Sequence, residues 1–114
     1  MYEILIVGGG PAGLTAAIYA ARAGKHVAVL ERGSTGGQII SAPLVENYPG
    51  IPSVSGTELA RQMTEQACTF GAEIVYTEAV GLEKTPAGFR VLCTDGVREA
   101  KTVILGTGAS HRKL

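Results

Sequence analysis

Gly8, Gly10 and Gly13 stand at G-x-G-x-x-G spacing, directly after the apolar run Ile4-Leu5-Ile6-Val7 and directly before an alanine-rich stretch. A strand that enters a glycine turn and leaves it as a helix restricts the fold to few choices. The first glycine permits the tight turn, and the second lets the backbone come close to a pyrophosphate. The third lets helix and strand pack without a Cβ between them. Backbone N–H groups at the positive end of the helix then hold the anion without a charged side chain. With sixteen glycines in 114 residues the spacing alone is weak evidence, and its surroundings carry the argument.

Those surroundings form a complete β-α-β unit. Leu14, Ala17, Ile18 and Ala21 recur at i, i+3, i+4 and i+7, the apolar stripe of a helix lying on a sheet. Gly24 ends that helix in the C′ position. His26-Val27-Ala28-Val29-Leu30 reads as a second strand with Glu31 at its carboxyl end. Glu31 lies 18 residues beyond Gly13, where the fingerprint places an acid for the ribose hydroxyls. Arg32 invites the 2′-phosphate of NADP, but Glu31 beside it repels that group.

The rest of the composition removes other classes. Ten Lys and Arg balance ten Asp and Glu, so charge gives no reason to expect a nucleic acid or an anionic membrane as partner. No apolar run reaches the ~18 residues of a membrane span. Met1-Tyr2-Glu3 lacks the basic start of a signal peptide, so a cytoplasmic location is expected. Cys68 and Cys93 form no C-x-x-C and lie on apolar patterns, which predicts two small buried hydrophobes rather than reactive thiols. His26 and His111 are isolated, and no His/Cys/Asp cluster has metal spacing. Neither a catalytic residue nor a metal site is expected within the chain.

Residues 31–55 hold most of the prolines and no sustained period, yet carry Ile39, Ile40, Leu44, Val45 and Tyr48. A long loop of this kind is usually functional. Gly36-Gly37 brings backbone near a ligand, with Gln38 as amide donor and acceptor. A second helix is expected over about 56–70, capped by Ser55 or Thr57, with Leu59, Met63, Ala67 and Phe70 as its apolar face and Gly71 as its stop. Ala72–Tyr76 reads as a third short strand. Ala79–Lys84, Phe89–Thr94 and Val97–Lys101 read as a three-stranded antiparallel meander, joined through 85–88 and through Asp95-Gly96. Thr102–Leu105 reads as a separate buried parallel strand that leads into Gly106-Thr107-Gly108-Ala109. The expected class is α/β: a Rossmann-like parallel sheet with helices, plus the inserted meander.

Several of these pieces, in this order, resemble the amino-terminal FAD segment of the low-molecular-weight thioredoxin reductases, within the pyridine nucleotide-disulfide oxidoreductases. They are Gly8-Gly9-Gly10-Pro11-Ala12-Gly13 with Thr15–Arg22, Gly36-Gly37-Gln38, Val45-Glu46-Asn47-Tyr48-Pro49-Gly50 and Thr107-Gly108-Ala109-Ser110. The resemblance runs from residue 4 to 114, with Gly106 where the family usually has Ala. It implies that Gly8, Gly10, Pro11, Ala12 and Gly13 hold the FAD pyrophosphate and that Glu31, beside Arg32, takes the ribose. It places Gly36, Gly37, Gln38 and Asn47 on the route to the flavin, the backbone at Val80 beside the adenine, and Thr107, Gly108 and Ala109 over the cofactor. It also implies that residues 1–114 are the first segment of an FAD domain that is incomplete relative to the family. There, an NADPH domain with its C-x-x-C and a returning FAD segment follow.

The activity implied is electron relay from NADPH through FAD to the dithiol of thioredoxin or a similar small protein, in a homodimer. The same FAD domain serves ferredoxin–NADP reductases of thioredoxin-reductase type, and a non-catalytic dinucleotide-binding fragment is a third reading. The 114 residues alone are expected to bind FAD weakly and not to turn over NADPH, because one nucleotide fingerprint is present and Cys68 and Cys93 lie in different elements.

Overall fold

The computed structural model describes residues 1–107. Along the chain come β1 (Tyr2–Val7), α1 (Pro11–Arg22), β2 (Val27–Glu31), a 3-10 turn (Gly37–Ser41) and α2 (Gly56–Thr69). Then follow β3 (Glu73–Tyr76), β4 (Ala79–Thr85), β5 (Gly88–Cys93) and β6 (Gly96–Leu105). The strands form one six-stranded sheet in the order β3-β2-β1-β6-β5-β4. β1, β2, β3 and β6 are mutually parallel neighbours, so their carboxyl ends share one edge. β4, β5 and β6 run antiparallel.

β1 and β2 are almost continuously apolar because both of their faces are covered. On one face Ile6, Val27 and Val29 pack against Ala17, Ile18 and Ala21 of α1 and Ala67 of α2. On the other, Leu5, Ala28 and Leu30 pack against Val91 of β5 and Ala100 of β6, so the meander covers the side without helices. Burial of each such Leu or Val contributes about 1.5–3 kcal/mol. A third cluster, Leu14 with Leu59 and Met63, joins α1 to α2, and Ile39, Val45, Ile51 and Val54 pack on it. Those loop residues, with bridges Val45–Val54 and Tyr48–Ile51, give the 31–55 stretch a fixed path without a regular period.

The two helices begin differently. Ser55 caps α2, its Oγ accepting the N–H of Glu58 at 3.1 Å, while the Thr57 hydroxyl donates to the Ile40 carbonyl. α1 starts at Gly10 with no side-chain cap, and Pro11 occupies the first turn, where a missing N–H costs nothing.

Five expectations need correction. Val97–Lys101 and Thr102–Leu105 are one strand, β6, whose first half pairs with β5 and whose second half pairs with β1. Thr102, Ile104 and Leu105 are exposed rather than buried, because among the described residues only β1 flanks that half. The first meander turn is tighter than expected, Pro86-Ala87 between the paired Thr85 and Gly88, and the second is the expected two-residue turn shifted by one position, to Thr94-Asp95 between the paired Cys93 and Gly96. Cys68 is exposed and Cys93 only half-buried. Cys68 sits one residue past Ala67, which turns it off the Leu59-Met63-Ala67 stripe. Phe70 is likewise 42% exposed, with the Arg22 guanidinium 5.6 Å from its ring centre. Among the described residues no helix is long and apolar enough to cross a membrane, and no three His, Cys, Asp or Glu side chains are grouped to hold a metal ion.

Candidate functional site

A cleft of about 610 Å3 opens at the carboxyl edge, where β1 lies between β2 and β6. This is the switch point at which open α/β sheets bind ligands, and the volume falls within the ~300–1,000 Å3 of small-molecule sites. The glycine turn, residues 8–11, forms its floor with Val7 and Leu30. Glu31 and Arg32 stand on one side with Thr77, Glu78 and Ala79, Gly106 and Thr107 on the other, and Gly37, Gln38 and Ile39 complete the lining.

The three fingerprint glycines are not equivalent. Gly8 has φ +106, and a Cβ there would overlap the Gly106 carbonyl oxygen. A Cβ on Gly13 would overlap the carbonyl oxygen of Gly8. Packing within the protein therefore demands both. Gly10 has φ −77, which any residue adopts, and the nearest atom to a Cβ there would be Gly37 Cα at 3.8 Å. Among the described residues no contact asks for glycine at position 10, and the space it leaves opens on the cleft. Beside it, the first turn of α1 carries no acidic residue and no side-chain cap. These features fit a diphosphate held by backbone N–H groups.

Glu31 is tied to this turn. Its Oε1 accepts the N–H of Gly9 at 2.8 Å and its Oε2 accepts the N–H of Gly33 at 2.7 Å. The Gly9 carbonyl in turn accepts the N–H of Gly36 at 2.6 Å. One residue of the turn thus clamps the 31–41 loop through both its N–H and its C=O. An ionised carboxylate has about four lone-pair sites, so Glu31 keeps capacity for ligand hydroxyls. Gly36 and Gly37 both have positive φ, at +103 and +58, and a Cβ on Gly36 would overlap Ala60 of α2. The pair of glycines lets the loop pass between α2 and the turn.

Of the residues expected at the site, Gly8, Gly10, Pro11, Glu31, Arg32, Gly37, Gln38 and Thr107 come together around the cleft. Ala12 and Gly13 lie behind it in the first turn of α1, and Gly36 braces the loop from behind. Asn47 and Val80 are exposed and stand outside the lining. Gly108 and Ala109 lie outside the described residues.

Sequence reasoning missed Thr77, Glu78 and Ala79. They directly follow the third parallel strand, and the rule that ligands sit beyond the carboxyl ends of such strands points to them. Thr77 is buried and donates its hydroxyl to Asp95 Oδ1 at 2.6 Å. The Arg98 guanidinium grips both Asp95 oxygens, at 2.8 and 3.1 Å. Arg98, and then Thr77, hold the Asp95 carboxyl well below the usual carboxylate range.

Residues 2–114 match the family described as pyridine nucleotide-disulphide oxidoreductase. Over 114 residues the chain is 44% identical to a thioredoxin reductase of Treponema pallidum, covering 99% of this chain and 37% of that protein. The solved thioredoxin reductase of Streptococcus pyogenes is 46% identical with a TM-score of 0.94, covering 100% of this chain and 37% of the other. That of Lactococcus lactis is 39% identical with a TM-score of 0.94, covering 100% and 38%. The six-stranded sheet and its two helices therefore reproduce part of the fold of these reductases, and the chain spans little more than a third of their length. With the family match running from residue 2 to residue 114, the chain belongs to the pyridine nucleotide-disulphide oxidoreductases.

Proposed function

We propose that residues 1–114 are the first segment of the FAD domain of a flavoprotein disulfide reductase of the thioredoxin reductase type. The observation that carries this reading is Gly10, a fingerprint glycine that no contact among the described residues requires, at the uncapped start of α1. The pyrophosphate rests on the backbone of residues 10–13. Glu31 receives the ribose hydroxyls of the adenosine half, and its charge disfavours a nucleotide with a 2′-phosphate. Gln38, Gly106 and Thr107 border the flavin half.

Bound FAD supplies two-electron redox chemistry; this chain's residues bind it, orient it and shield one side from water. In the whole protein, NADPH as electron donor, the dithiol of thioredoxin or a similar small protein as acceptor, a homodimeric assembly and a cytoplasmic location follow from the same reading. Thioredoxin as acceptor accords with the relatives, which are thioredoxin reductases. Cys68 and Cys93 have no part in it: one lies near the end of α2, the other at the end of β5, and neither lines the cleft.

The test is an equilibrium titration of the purified chain with FAD, read by flavin fluorescence. The expected result is a saturable change that excess ADP reverses. No response to FAD together with saturable binding of NADP overturns the reading.

A further inference from the structure

Thr77 is the one buried polar residue among those described, at 8% exposure, and it stands in the wall of the cleft. Burying a hydroxyl is unfavourable unless it is hydrogen-bonded. Its partner is remote in sequence: Oγ1 donates to Asp95 Oδ1 at 2.6 Å, in the two-residue turn that joins β5 to β6. Arg98 fixes that carboxylate with a two-pronged grip, the strongest and most directional form of such a pair. Two backbone bonds run alongside. Thr77 N–H donates to the Glu31 carbonyl at 3.0 Å, and Thr94 N–H donates to the Glu78 carbonyl at 2.9 Å. The Thr77–Ala79 wall is thus held on one side by the end of β2 and on the other by the meander turn. Asp95 and Arg98 do not themselves line the cleft.

We propose that Asp95 and Arg98 are positioning residues for the nucleoside half of the bound dinucleotide, acting through Thr77 to set the Thr77–Ala79 wall. This rests on the FAD reading above. The strand order says which half is concerned. Outward from the glycine turn at β1 come β2, ending at Glu31, and then β3, whose end runs into Thr77. A pyrophosphate on α1 with its ribose on Glu31 carries the adenine toward Thr77–Ala79 and the flavin toward β6. The β5–β6 hairpin therefore reaches across the meander to shape the adenosine subsite alone.

The experiment measures binding of FAD, ADP and FMN separately to the 114-residue chain and to three variants. ADP carries the adenosine half and FMN the flavin half. Thr77→Val keeps the shape and removes the hydroxyl; FAD and ADP should bind about ten-fold more weakly, with FMN affinity unchanged. Asp95→Asn leaves an oxygen for Thr77 but loses the ion pair, and should show a smaller loss on ADP alone. Thr77→Ser keeps the hydroxyl and should restore ADP binding. A purely structural role would move ADP and FMN together, and an unchanged ADP-to-FMN ratio in Thr77→Val overturns the proposal. Should that variant not fold, the same ratio in Asp95→Asn decides. Failure of the unsubstituted chain to bind FAD overturns the FAD reading and this proposal with it. FAD binding with an unchanged ratio overturns this proposal only.

Discussion

The Glu31 carboxylate accepts the backbone N–H of Gly9 at 2.8 Å, so the acid that ends β2 braces the turn that ends β1. The residue proposed to receive the ribose is therefore also part of the frame of the proposed pyrophosphate site. Hydrogen bonds to a charged group contribute about 1.5–3 kcal/mol. Glu31→Ala should weaken FAD binding by about ten- to a hundred-fold, and the Gly9 amide should exchange faster with solvent. Glu31→Gln, which keeps one acceptor oxygen, should fall between. Titration with FAD measures the first effect and hydrogen exchange the second; an unchanged dissociation constant removes Glu31 from the site.

The fingerprint glycines should separate stability from binding. Gly13→Ala forces a Cβ into the Gly8 carbonyl and should lower stability by about 1–3 kcal/mol, as overpacking does. Gly10→Ala meets no such obstacle and should stay within about 1 kcal/mol of the unsubstituted chain, yet bind FAD more weakly. Thermal melts with and without FAD read both quantities. Equal destabilisation by the two changes would show that Gly10 is also a packing glycine.

Much of this was legible in the sequence where local pattern and tertiary context agree. The stripe Leu14-Ala17-Ile18-Ala21 gave α1, and the glycine spacing gave the turn before it. Ser55 marked the start of α2, and an Asp-Gly pair marked the last hairpin within one residue. β6 was harder, because its pattern changes midway. The first half alternates, as suits an antiparallel pair, and the second is apolar, as suits a parallel neighbour of β1, so one strand read as two. Cys68 and Phe70 are apolar in type yet exposed, because the buried stripe of α2 ends at Ala67. At the site, the glycines and Glu31 were visible from spacing. The latch from Thr77 to Asp95 was not, since it joins residues 18 positions apart through the path of the meander.

α2 should loosen in acid. Glu58, in its first turn, is held at a pKa of about 2 by hydrogen bonds from Arg61 and then Gln62, against an ordinary 4.5. A depressed folded-state value means that its contribution is fully present above the unfolded value of about 4.5 and is lost as pH falls toward 2. Glu58→Gln should lower stability near neutral pH, flatten the profile between those two values and converge with the unsubstituted chain toward pH 2. Urea melts at several pH values would show this, and an unaltered acid slope would contradict it.

The two thiols should differ in reactivity. Cys68 is exposed and Cys93 is half-buried beside Val91, so a thiol reagent should label Cys68 first. Cys68→Ser should leave FAD affinity as it is. Mass spectrometry after brief alkylation gives the order, and faster labelling of Cys93 would contradict the packing described for β5.

The central claim is that the FAD pyrophosphate sits on the glycine turn at the start of α1. A chain of 11.8 kDa suits amide chemical-shift mapping, which locates a ligand residue by residue. On addition of FAD the largest shifts should fall on residues 9–13, Glu31 and Gln38, with further shifts at Thr77–Ala79, and Gly10→Val should abolish them. Largest shifts elsewhere, for instance in the shallow groove of Thr35, Thr57 and Thr64 beside α2, or an undiminished response from Gly10→Val, would contradict the account.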